Sequence, residues 1–148
     1  MGLFRPKRHT DRTGDVSEAA IIARLLKAGY VVLTPYGKQH RYDLVIEDAD
    51  GQFWRIQCKT AWAIQDSSSI EFNAASSHYT YINSESTGVH KRQNYREQVE
   101  YFAVYCEALD KVYLIAVNDV GIAHARLRLI PTKNKQGKNV RWASDYEI

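Results

Sequence analysis

A carboxylate, an amide and an ammonium stand at spacings that could bring them to one face of a sheet. Asp43 opens one apolar run, and Gln57 and Lys59 lie two positions apart in the next. Side chains two residues apart on a β-strand point to the same face. Carboxylate and amide oxygens suit Mg²⁺, and an ammonium can neutralise charge that develops on a phosphoryl oxygen. The pattern therefore indicates metal-assisted hydrolysis of a phosphodiester.

The two runs that carry these residues predict a β-hairpin. Residues 41–47 and 53–60 are rich in apolar, β-branched and aromatic residues, and residues 48–51 between them end in an Asp-Gly pair. An Asp-Gly pair between such runs is a strong hairpin signal. Within the second strand, the backbone carbonyl of Cys58 is a further candidate metal ligand.

The same spacing has a simpler explanation, which the residues alone leave open. Hairpins carry a carboxylate and a lysine by chance, and Asp43 and Lys59 could form a structural ion pair at a strand edge. Context strengthens the functional interpretation, because Asp43 and Gln57 interrupt runs that otherwise resemble core strands, while the pattern alone still leans towards the structural ion pair. A charge buried in such a place needs a partner.

A helix is predicted upstream of the hairpin, from about Asp15 to Ala28. Apolar residues recur there at helical spacing, and Gly29 follows as a terminating glycine. Asp15 is a candidate N-cap, with Glu18 three residues later as in a capping box. Glu18 therefore has two explanations of equal weight, helix capping and membership of a cluster with Asp43.

The remaining chain predicts further strands around one irregular stretch. The strands are expected at residues 30–34, 70–73, 101–106, 112–117 and 126–130. The 101–106 run is apolar without alternation, which is typical of a central strand covered on both faces, while 126–130 alternates like a half-buried edge strand. Residues 74–94 show no clear periodicity and predict an irregular excursion or an extended ribbon.

Basic and tyrosine residues mark three candidate DNA-contacting segments. The segments are a mobile basic arm at residues 1–13, an excursion at about 74–96, and a C-terminal run from His124 to Arg141 that contains no carboxylate. Such groups can contact phosphates, although solvated surface charge explains them as well. The candidates are Arg5, Lys7, Arg8, Tyr79, Tyr81, Lys91, Arg92, Arg126, Arg128, Lys133, Lys135 and Lys138.

Composition limits the class of protein. At 148 residues and a net charge of +3, residues 14–148 are expected to form a single domain with one core, and nucleic-acid binding is permitted without being required. The two cysteines, Cys58 and Cys106, are far apart and form no zinc or redox motif. No signal peptide or membrane-length apolar run is present, so we expect a soluble cytoplasmic protein.

Several longer runs resemble one nuclease family. The segments GDVSEAAIIARLLKAGY, RYDLVIED, RIQCKTAW, YFAVYCEALDKVYLIAV and VRWASDYEI are similar to those of the group I intron-associated PD-(D/E)xK homing endonucleases of bacteria, within the PD-(D/E)xK superfamily. The resemblance covers almost the whole chain beyond the basic arm. It implies an α/β (α+β) restriction-endonuclease-like core, with a mixed central sheet flanked by helices.

The resemblance also assigns roles by position. It makes Glu18 the helix acid, Asp43 the metal-binding aspartate and Lys59 the motif lysine, while Gln57 stands where most of the superfamily has Glu or Asp. It implies a site-specific double-stranded DNA endonuclease of the intron-homing type that uses Mg²⁺ or Mn²⁺. It further implies a homo-oligomer, either a dimer or a tetramer.

Two alternatives remain open from the sequence. A Holliday-junction resolvase or repair nuclease could use a similar core and would recognise DNA structure over sequence. The second alternative is a non-catalytic DNA-binding protein of the same fold. It is suggested by Gln57, which replaces an acid.

Overall fold

A computed structural model describes residues 12–81 and 88–148, together with Phe4 and His9, and it describes side chains except those of 78–81 and 88–90. The predicted arm residues Arg5, Lys7 and Arg8 lie outside the described residues. Within this part of the chain, no helix is both long and apolar enough to cross a membrane.

One α-helix and nine strands form the described fold. In chain order they are α1 (Thr13–Lys27), β1 (Val31–Leu33), β2 (Leu44–Glu47), β3 (Phe53–Ala63), β4 (Ser69–Asn73), β5 (Ala75–Tyr81), β6 (Gly88–Asn94), β7 (Tyr101–Cys106), β8 (Lys111–Ala116) and β9 (His124–Arg128). Short 3₁₀ helices cover Val117–Asp119 and Ala143–Asp145. The predicted strands are therefore confirmed, with small shifts of their ends.

The start of α1 differs from the prediction. The helix begins at Thr13, and its N-cap residue, Arg12, makes no side-chain capping bond. Asp15 lies inside the first turn, where a carboxylate interacts favourably with the helix dipole. The predicted Asp15 cap and the capping box with Glu18 are therefore wrong, because the helix begins before both residues.

The end of α1 follows the prediction. Gly29 has a φ of +96°, its N–H donates to the carbonyl of Leu26 at 3.1 Å, and the N–H of Tyr30 donates to that of Leu25 at 3.1 Å. This is the bond pattern of a Schellman motif, which requires a left-handed residue that glycine adopts without strain. The chain turns there into β1.

The long strand β3 organises the sheet by changing partners along its length. It pairs antiparallel with β2 near its start, parallel with β7 from Ile56 to Ala61, and antiparallel with β4 at Trp62 and Ala63. Besides the order β1-β2-β3-β4-β9, β7 pairs with β3, and β8 pairs with the far side of β7. The predicted mixed sheet is confirmed, while among the described residues a single α-helix flanks it.

Two hydrophobic clusters cover the two faces of this sheet. Ile21 and Leu25 of α1 pack with Leu44, Ile46 and Ile56 in one cluster, to which Ala103, Tyr105 and Val112 also belong. The larger cluster lies on the other face and includes Phe72, Tyr95, Phe102, Val104, Tyr113, Ile115 and Leu127. Alternate residues of β7 enter different clusters, so β7 is covered on both faces, as predicted.

The stretch after β4 is a two-stranded ribbon. β5 and β6 pair antiparallel from Ala75 and Asn94 at its base to Tyr81 and Gly88. Of the two predicted possibilities, the extended ribbon is confirmed. The edge strand β9 is also confirmed, because it pairs with β4, and its Ala125 and Leu127 are buried between more exposed neighbours.

Candidate active site

Asp43 lies at the point where β2 begins against β3. Its N–H donates to the carbonyl of Ile56 at 2.9 Å, and its Oδ2 accepts the N–H of Cys58 at 2.9 Å. These bonds fix the carboxylate against the backbone of β3. Burial raises the pKa of Asp43, and the Cys58 N–H and nearby Lys59 offset part of that increase.

Glu18 reaches the same place from α1. The neighbouring Ser17 hydroxyl lies 2.6 Å from that of Thr60, which ties this turn of the helix to β3. Burial raises the pKa of Glu18, and the negative charges of Asp43 and Asp15 raise it further. Glu18 and Asp43, named here the acidic pair, are therefore close enough to repel one another.

An open cavity gives access to the acidic pair. Its volume is about 260 Å³. Glu18 and Asp43 line it together with Thr34, Pro35, Gly37, Lys38, His40 and Tyr42. The two predicted acids therefore face one solvent-accessible space, large enough for a hydrated ion or a phosphate group.

Lys59 is held beside the acidic pair by neutral groups. Its Nζ lies 3.4 Å from the Ala75 carbonyl and 3.4 Å from the Tyr95 hydroxyl, and 4.5 Å from the centroid of the Tyr95 ring. Burial lowers the pKa of Lys59 to about 8, with Asp43 opposing the shift and Arg41 adding to it. The ammonium is therefore still largely protonated at neutral pH.

The structural ion pair between Asp43 and Lys59 is not formed. Among the described residues, ion pairs join Arg55 to Glu100, Lys111 to Glu147 and Arg126 to Glu71. Asp43 instead bonds the backbone of β3, and Lys59 lies against Tyr95. The two charges interact only at longer range, which leaves both groups available to a ligand.

Arg41 and Tyr95 belong to the site, although no sequence pattern had assigned them a role there. Arg41 donates to Gln98 Oε1 at 2.5 Å, to Ser76 Oγ at 2.7 Å and to the Asn94 carbonyl at 2.9 Å. Its Cζ lies 4.1 Å from the centroid of the Tyr95 ring. We name Arg41, Lys59 and Tyr95 the Tyr95 cluster.

A signal for Arg41 was present in the sequence, whereas none marked Tyr95. Arg41 precedes Asp43 by two positions, so alternation alone predicts that both side chains lie on one face. Tyr95 directly follows the polar ribbon, whose sequence shows no clear periodicity. Its contacts depend on where the two strands of the ribbon return to the sheet. Only the tertiary structure brings it to Lys59.

Gln57 and Cys58 supply neutral oxygens at the same point of β3. The Gln57 Nε2 lies 3.5 Å from the Cys58 carbonyl oxygen. The Cys58 thiol packs against the helix-facing cluster, and burial raises its pKa strongly. A protonated thiol is a poor ligand for a hard cation, so the carbonyl is the group of Cys58 that suits the predicted metal.

The donor set contains few charged ligands. Within residues 12–81 and 88–148, no group of three or more His, Cys, Asp or Glu side chains could hold a metal ion. By the resemblance described above, Gln57 stands where most of the superfamily has an acid. The acidic pair, the Gln57 amide and the Cys58 carbonyl remain the predicted oxygen donors, and of these the structure places Glu18 and Asp43 on one cavity.

The predicted DNA-contacting residues of the ribbon are partly described. Lys91 and Arg92 are exposed on β6, and Arg92 Nη2 lies 3.5 Å from Nε2 of His124 on β9. Tyr79 and Tyr81 lie on β5, and their side chains are outside the described part. The ribbon thus presents basic side chains close to its base.

The C-terminal candidates differ in how far their charges are already compensated. Lys133, Lys135 and Lys138 are exposed in the segment after β9. Arg126 forms an ion pair with Glu71 across β4 and β9. Arg128 donates to the Ile130 carbonyl at 3.2 Å, and its Nη1 lies 3.5 Å from Ser68 Oγ.

Comparison with known proteins gives consistent matches. The sequence model of the PD-(D/E)XK endonuclease family matches residues 8–148. The chain is 42% identical over 53 residues to Protein 5.3 of Escherichia phage T7, a match that covers 36% of this chain and 44% of that protein. The solved structure of I-Ssp6803I, a bacterial homing endonuclease, superposes with a TM-score of 0.68 and 26% identity, over 95% of this chain and 89% of that one.

Proposed function

This chain belongs to the PD-(D/E)XK endonuclease family, and we propose that it is a metal-dependent, site-specific endonuclease that hydrolyses phosphodiester bonds in double-stranded DNA. One observation carries the proposal. The acidic pair shares an open cavity, and Asp43 is close enough to Lys59 to influence its pKa. Carboxylates beside an ammonium are the groups that such a hydrolysis needs.

The residues present fit a hard divalent cation. Carboxylate, amide and carbonyl oxygens are the donors that Mg²⁺ and Mn²⁺ prefer. Burial is the main cause of the raised pKa values of Glu18 and Asp43, and the charges of nearby acids add to it at Glu18. A bound cation would favour the charged form of both groups. Glu18, Asp43, the Gln57 amide and the Cys58 carbonyl would hold the cation. When bound, it would polarise the phosphate and acidify a water molecule.

The chain's own residues then divide the remaining tasks. Asp43 is held by the Cys58 N–H, so its carboxylate is oriented before any ligand arrives. Lys59 places a positive charge where the phosphoryl oxygens gain negative charge, which lowers the barrier. The Gln57 amide can rotate to present its oxygen, because its two terminal atoms are sterically equivalent.

Basic side chains outside the cavity would bind the DNA backbone. Lys91 and Arg92 on the ribbon and the three lysines after β9 are exposed, as phosphate contacts require. By analogy with the homing endonuclease it resembles, we infer that this chain acts in the cytoplasm on a long intron-insertion site. A dimer or tetramer would present paired active sites to the two strands.

A second candidate function is DNA binding without cleavage. It is favoured by Gln57, whose neutral amide leaves the acidic pair with no third carboxylate. The same surface would then bind DNA, while the metal would be held weakly or not at all. Cleavage assays with and without metal separate the two functions.

The deciding experiment is digestion of the uninterrupted form of the gene that hosts the coding intron, because an intron already inserted at the site would split the recognised sequence. Purified protein is incubated with this DNA and MgCl₂, or with EDTA, and the new ends are sequenced. We expect ends that map to a single site, that require Mg²⁺, and that reappear when a synthetic duplex of the site is digested. Branched and linear versions of the duplex test the resolvase alternative, which requires a preference for the branched form.

Asp43→Asn is the variant that tests the position of the site. We expect its cleavage rate on the duplex to fall about 10³-fold or more, since a neutral amide removes the central metal ligand. Asp50→Asn, in the turn of the same hairpin, is the matched control and should keep the parent rate. Parent-rate cleavage by Asp43→Asn would show that the site lies elsewhere.

A further inference from the structure

The Tyr95 ring is the common contact of two cations. The Arg41 guanidinium and the Lys59 ammonium lie 4.1 Å and 4.5 Å from its centroid, and the Tyr95 hydroxyl lies 3.4 Å from Lys59 Nζ. An aromatic face attracts cations through its quadrupole, most strongly where water is excluded. Tyr95 is only 5% exposed, so the ring acts in such a place.

Tyr95 is the rigid member of this group. Its ring packs edge-on against Phe102 at 5.7 Å, inside the larger hydrophobic cluster. Its carbonyl accepts the N–H groups of Gln98 and Val99 and so starts the turn before β7. Lys59 has a flexible four-carbon stem, so the ring fixes the ammonium and not the reverse.

Arg41 connects Tyr95 to the base of the ribbon. Its three donor nitrogens bond Gln98 beside Tyr95, and Ser76 and Asn94 on β5 and β6. Because these acceptors already engage the guanidinium, a phosphate contact would require breaking them. Arg41 is therefore suited to bracing the ribbon and Tyr95 more than to binding DNA directly.

We propose that Tyr95 is a positioning residue that holds the Lys59 ammonium for catalysis, and that Arg41 braces Tyr95 against the base of the ribbon. The proposal rests on the proposed function, because it needs Lys59 to act on a phosphate. It adds to that function a physical link between the DNA-contacting ribbon and the catalytic lysine. Tyr95 itself touches no reacting atom.

The kinetic test separates positioning from DNA binding. Single-turnover cleavage of the mapped duplex is measured with Mg²⁺, and the Kd for the same duplex is measured without it. Tyr95→Phe keeps the ring and removes the hydroxyl, which contacts Lys59 and also bonds Ser76 and Arg41, so we expect a rate about fivefold lower. Tyr95→Leu removes the ring as well and should lower the rate about 100-fold, because the ammonium loses its position.

In both variants the Kd should stay within about twofold of the parent value, since neither change removes a phosphate contact. The matched control is Tyr105→Phe, which removes the hydroxyl of another buried tyrosine, one that donates to Asp110 at 2.9 Å. It should keep the parent rate. A parent rate in Tyr95→Leu, or equal losses in rate and affinity, would overturn the positioning role.

Arg41→Gln tests the brace. We expect a rate about tenfold lower, and the double variant Arg41→Gln/Tyr95→Leu should be no slower than Tyr95→Leu alone, because both changes act through one ammonium. Multiplying effects in the double variant would contradict the brace, since they would show that Arg41 acts independently of Tyr95.

NMR tests the position of Lys59 beside the Tyr95 ring in a way that does not depend on DNA cleavage. In protein labelled with ¹³C-lysine, the Lys59 Hε signal, identified by its loss in Lys59→Arg, should be shifted upfield by the Tyr95 ring. The shift should persist in Tyr95→Phe and vanish in Tyr95→Leu. An unshifted Lys59 signal would overturn the proposal at the level of structure. Failure of the parent to cut any DNA would instead overturn the proposed function, with the ring shift still present.

Discussion

The acidic pair and the Tyr95 cluster lie side by side on the same sheet, and both hold like charges close together. In the acidic pair, burial raises the pKa values of both acids, and the Cys58 N–H and Lys59 offset part of the increase at Asp43. In the Tyr95 cluster, an aromatic ring lies against both cations. Oxygen acceptors supply further bonds to Arg41 and Lys59.

The difference shows which half of the site is complete before a ligand binds. The Tyr95 cluster has its partners within the protein, so its geometry is preorganised. The acidic pair is partly removed from water, and the charges of Asp43 and Asp15 add repulsion at Glu18; a bound cation would offset both effects. If a metal binds as proposed, its binding energy would enter at the acidic pair, while the Tyr95 cluster would supply a fixed positive charge beside it. Four measurements bear on this division.

Removing the fixed charge should have the largest effect. Lys59→Ala should lower the single-turnover rate about 10³-fold while changing the Kd for DNA only slightly, because the ammonium acts on charge that develops during the reaction. Lys27→Ala, at the exposed end of α1, is the control. Equal losses of rate and affinity in Lys59→Ala would make the lysine a general DNA contact and remove the contrast with the acidic pair.

Exposed lysines should behave differently from the compensated cations. Replacing Lys133, Lys135 and Lys138 with Ala should weaken DNA binding about 10- to 100-fold at low salt and reduce the slope of log Kd against log salt by about 0.9 for each phosphate that is no longer neutralised. Fluorescence anisotropy over a range of NaCl concentrations measures both. Arg126→Ala should change the slope less, because Glu71 already neutralises Arg126. If the triple variant left the slope of log Kd against log salt unchanged, these three lysines would not contact DNA phosphates.

Gln57→Glu should strengthen the metal site about tenfold, because ligand charge tunes the affinity for a hard cation. A Mg²⁺ titration of the cleavage rate measures the midpoint. In EDTA the same variant should unfold at a lower temperature than the parent, since a third carboxylate joins the two that already repel. Gln52→Glu, in the hairpin turn, should move neither value. An unchanged midpoint in Gln57→Glu would exclude Gln57 from the site.

The smallest effect is a pH dependence of stability in EDTA. The pKa values of Glu18 and Asp43 are raised in the folded state above 4.5 and 3.8, so the folded protein binds protons more tightly than the unfolded chain. Their contribution to the free energy of unfolding therefore falls as pH rises from these ordinary values through the raised ones. We would measure the free energy of unfolding in urea from pH 4 to 7. The value for Asp43→Asn minus that for the parent should increase as the pH rises.

Glu100 provides a control of opposite sign. A hydrogen bond from Arg55 lowers the pKa of Glu100 below its ordinary 4.5, so its contribution is present above that value and is lost as pH falls through the lowered pKa. Glu100→Gln should therefore become less stable relative to the parent as pH rises. If the stability of Asp43→Asn and that of Glu100→Gln, each relative to the parent, changed with pH in the same direction, the two carboxylates would not differ in environment as described.

Local signals in the sequence were sufficient for most of the framework. The Asp-Gly pair and the alternating runs predicted the hairpin, and its turn is closed by Asp48, whose Oδ1 accepts the N–H groups of Asp50 and Gln52 at 2.9 Å each. Gly29 predicted the end of α1. These features depend on residues close together in the chain, where pattern and propensity are informative.

The parts that were missed depend on distant contacts. The helix start was wrong because Arg12 occupies the N-cap without a side-chain bond, so no capping residue marks it. The ribbon remained one of two possibilities because its polar strands lack apolar alternation. Tyr95 meets Lys59 only after the ribbon has brought residues 36 positions apart together. The variants of Asp43, Gln57 and Lys59 described above test the predicted roles of those three residues.

The base of the ribbon also defines where this fold can vary. Ala75 and Asn94 pair at that base, and Arg41 fastens it there through Ser76 and Asn94, while β3 and β7 pair independently of ribbon length. Insertions or replacements beyond the base would therefore leave Asp43 and Lys59 in place. If the ribbon contacts DNA as proposed, protein engineers could exchange its outer part to redesign target preference on an unchanged chemical core.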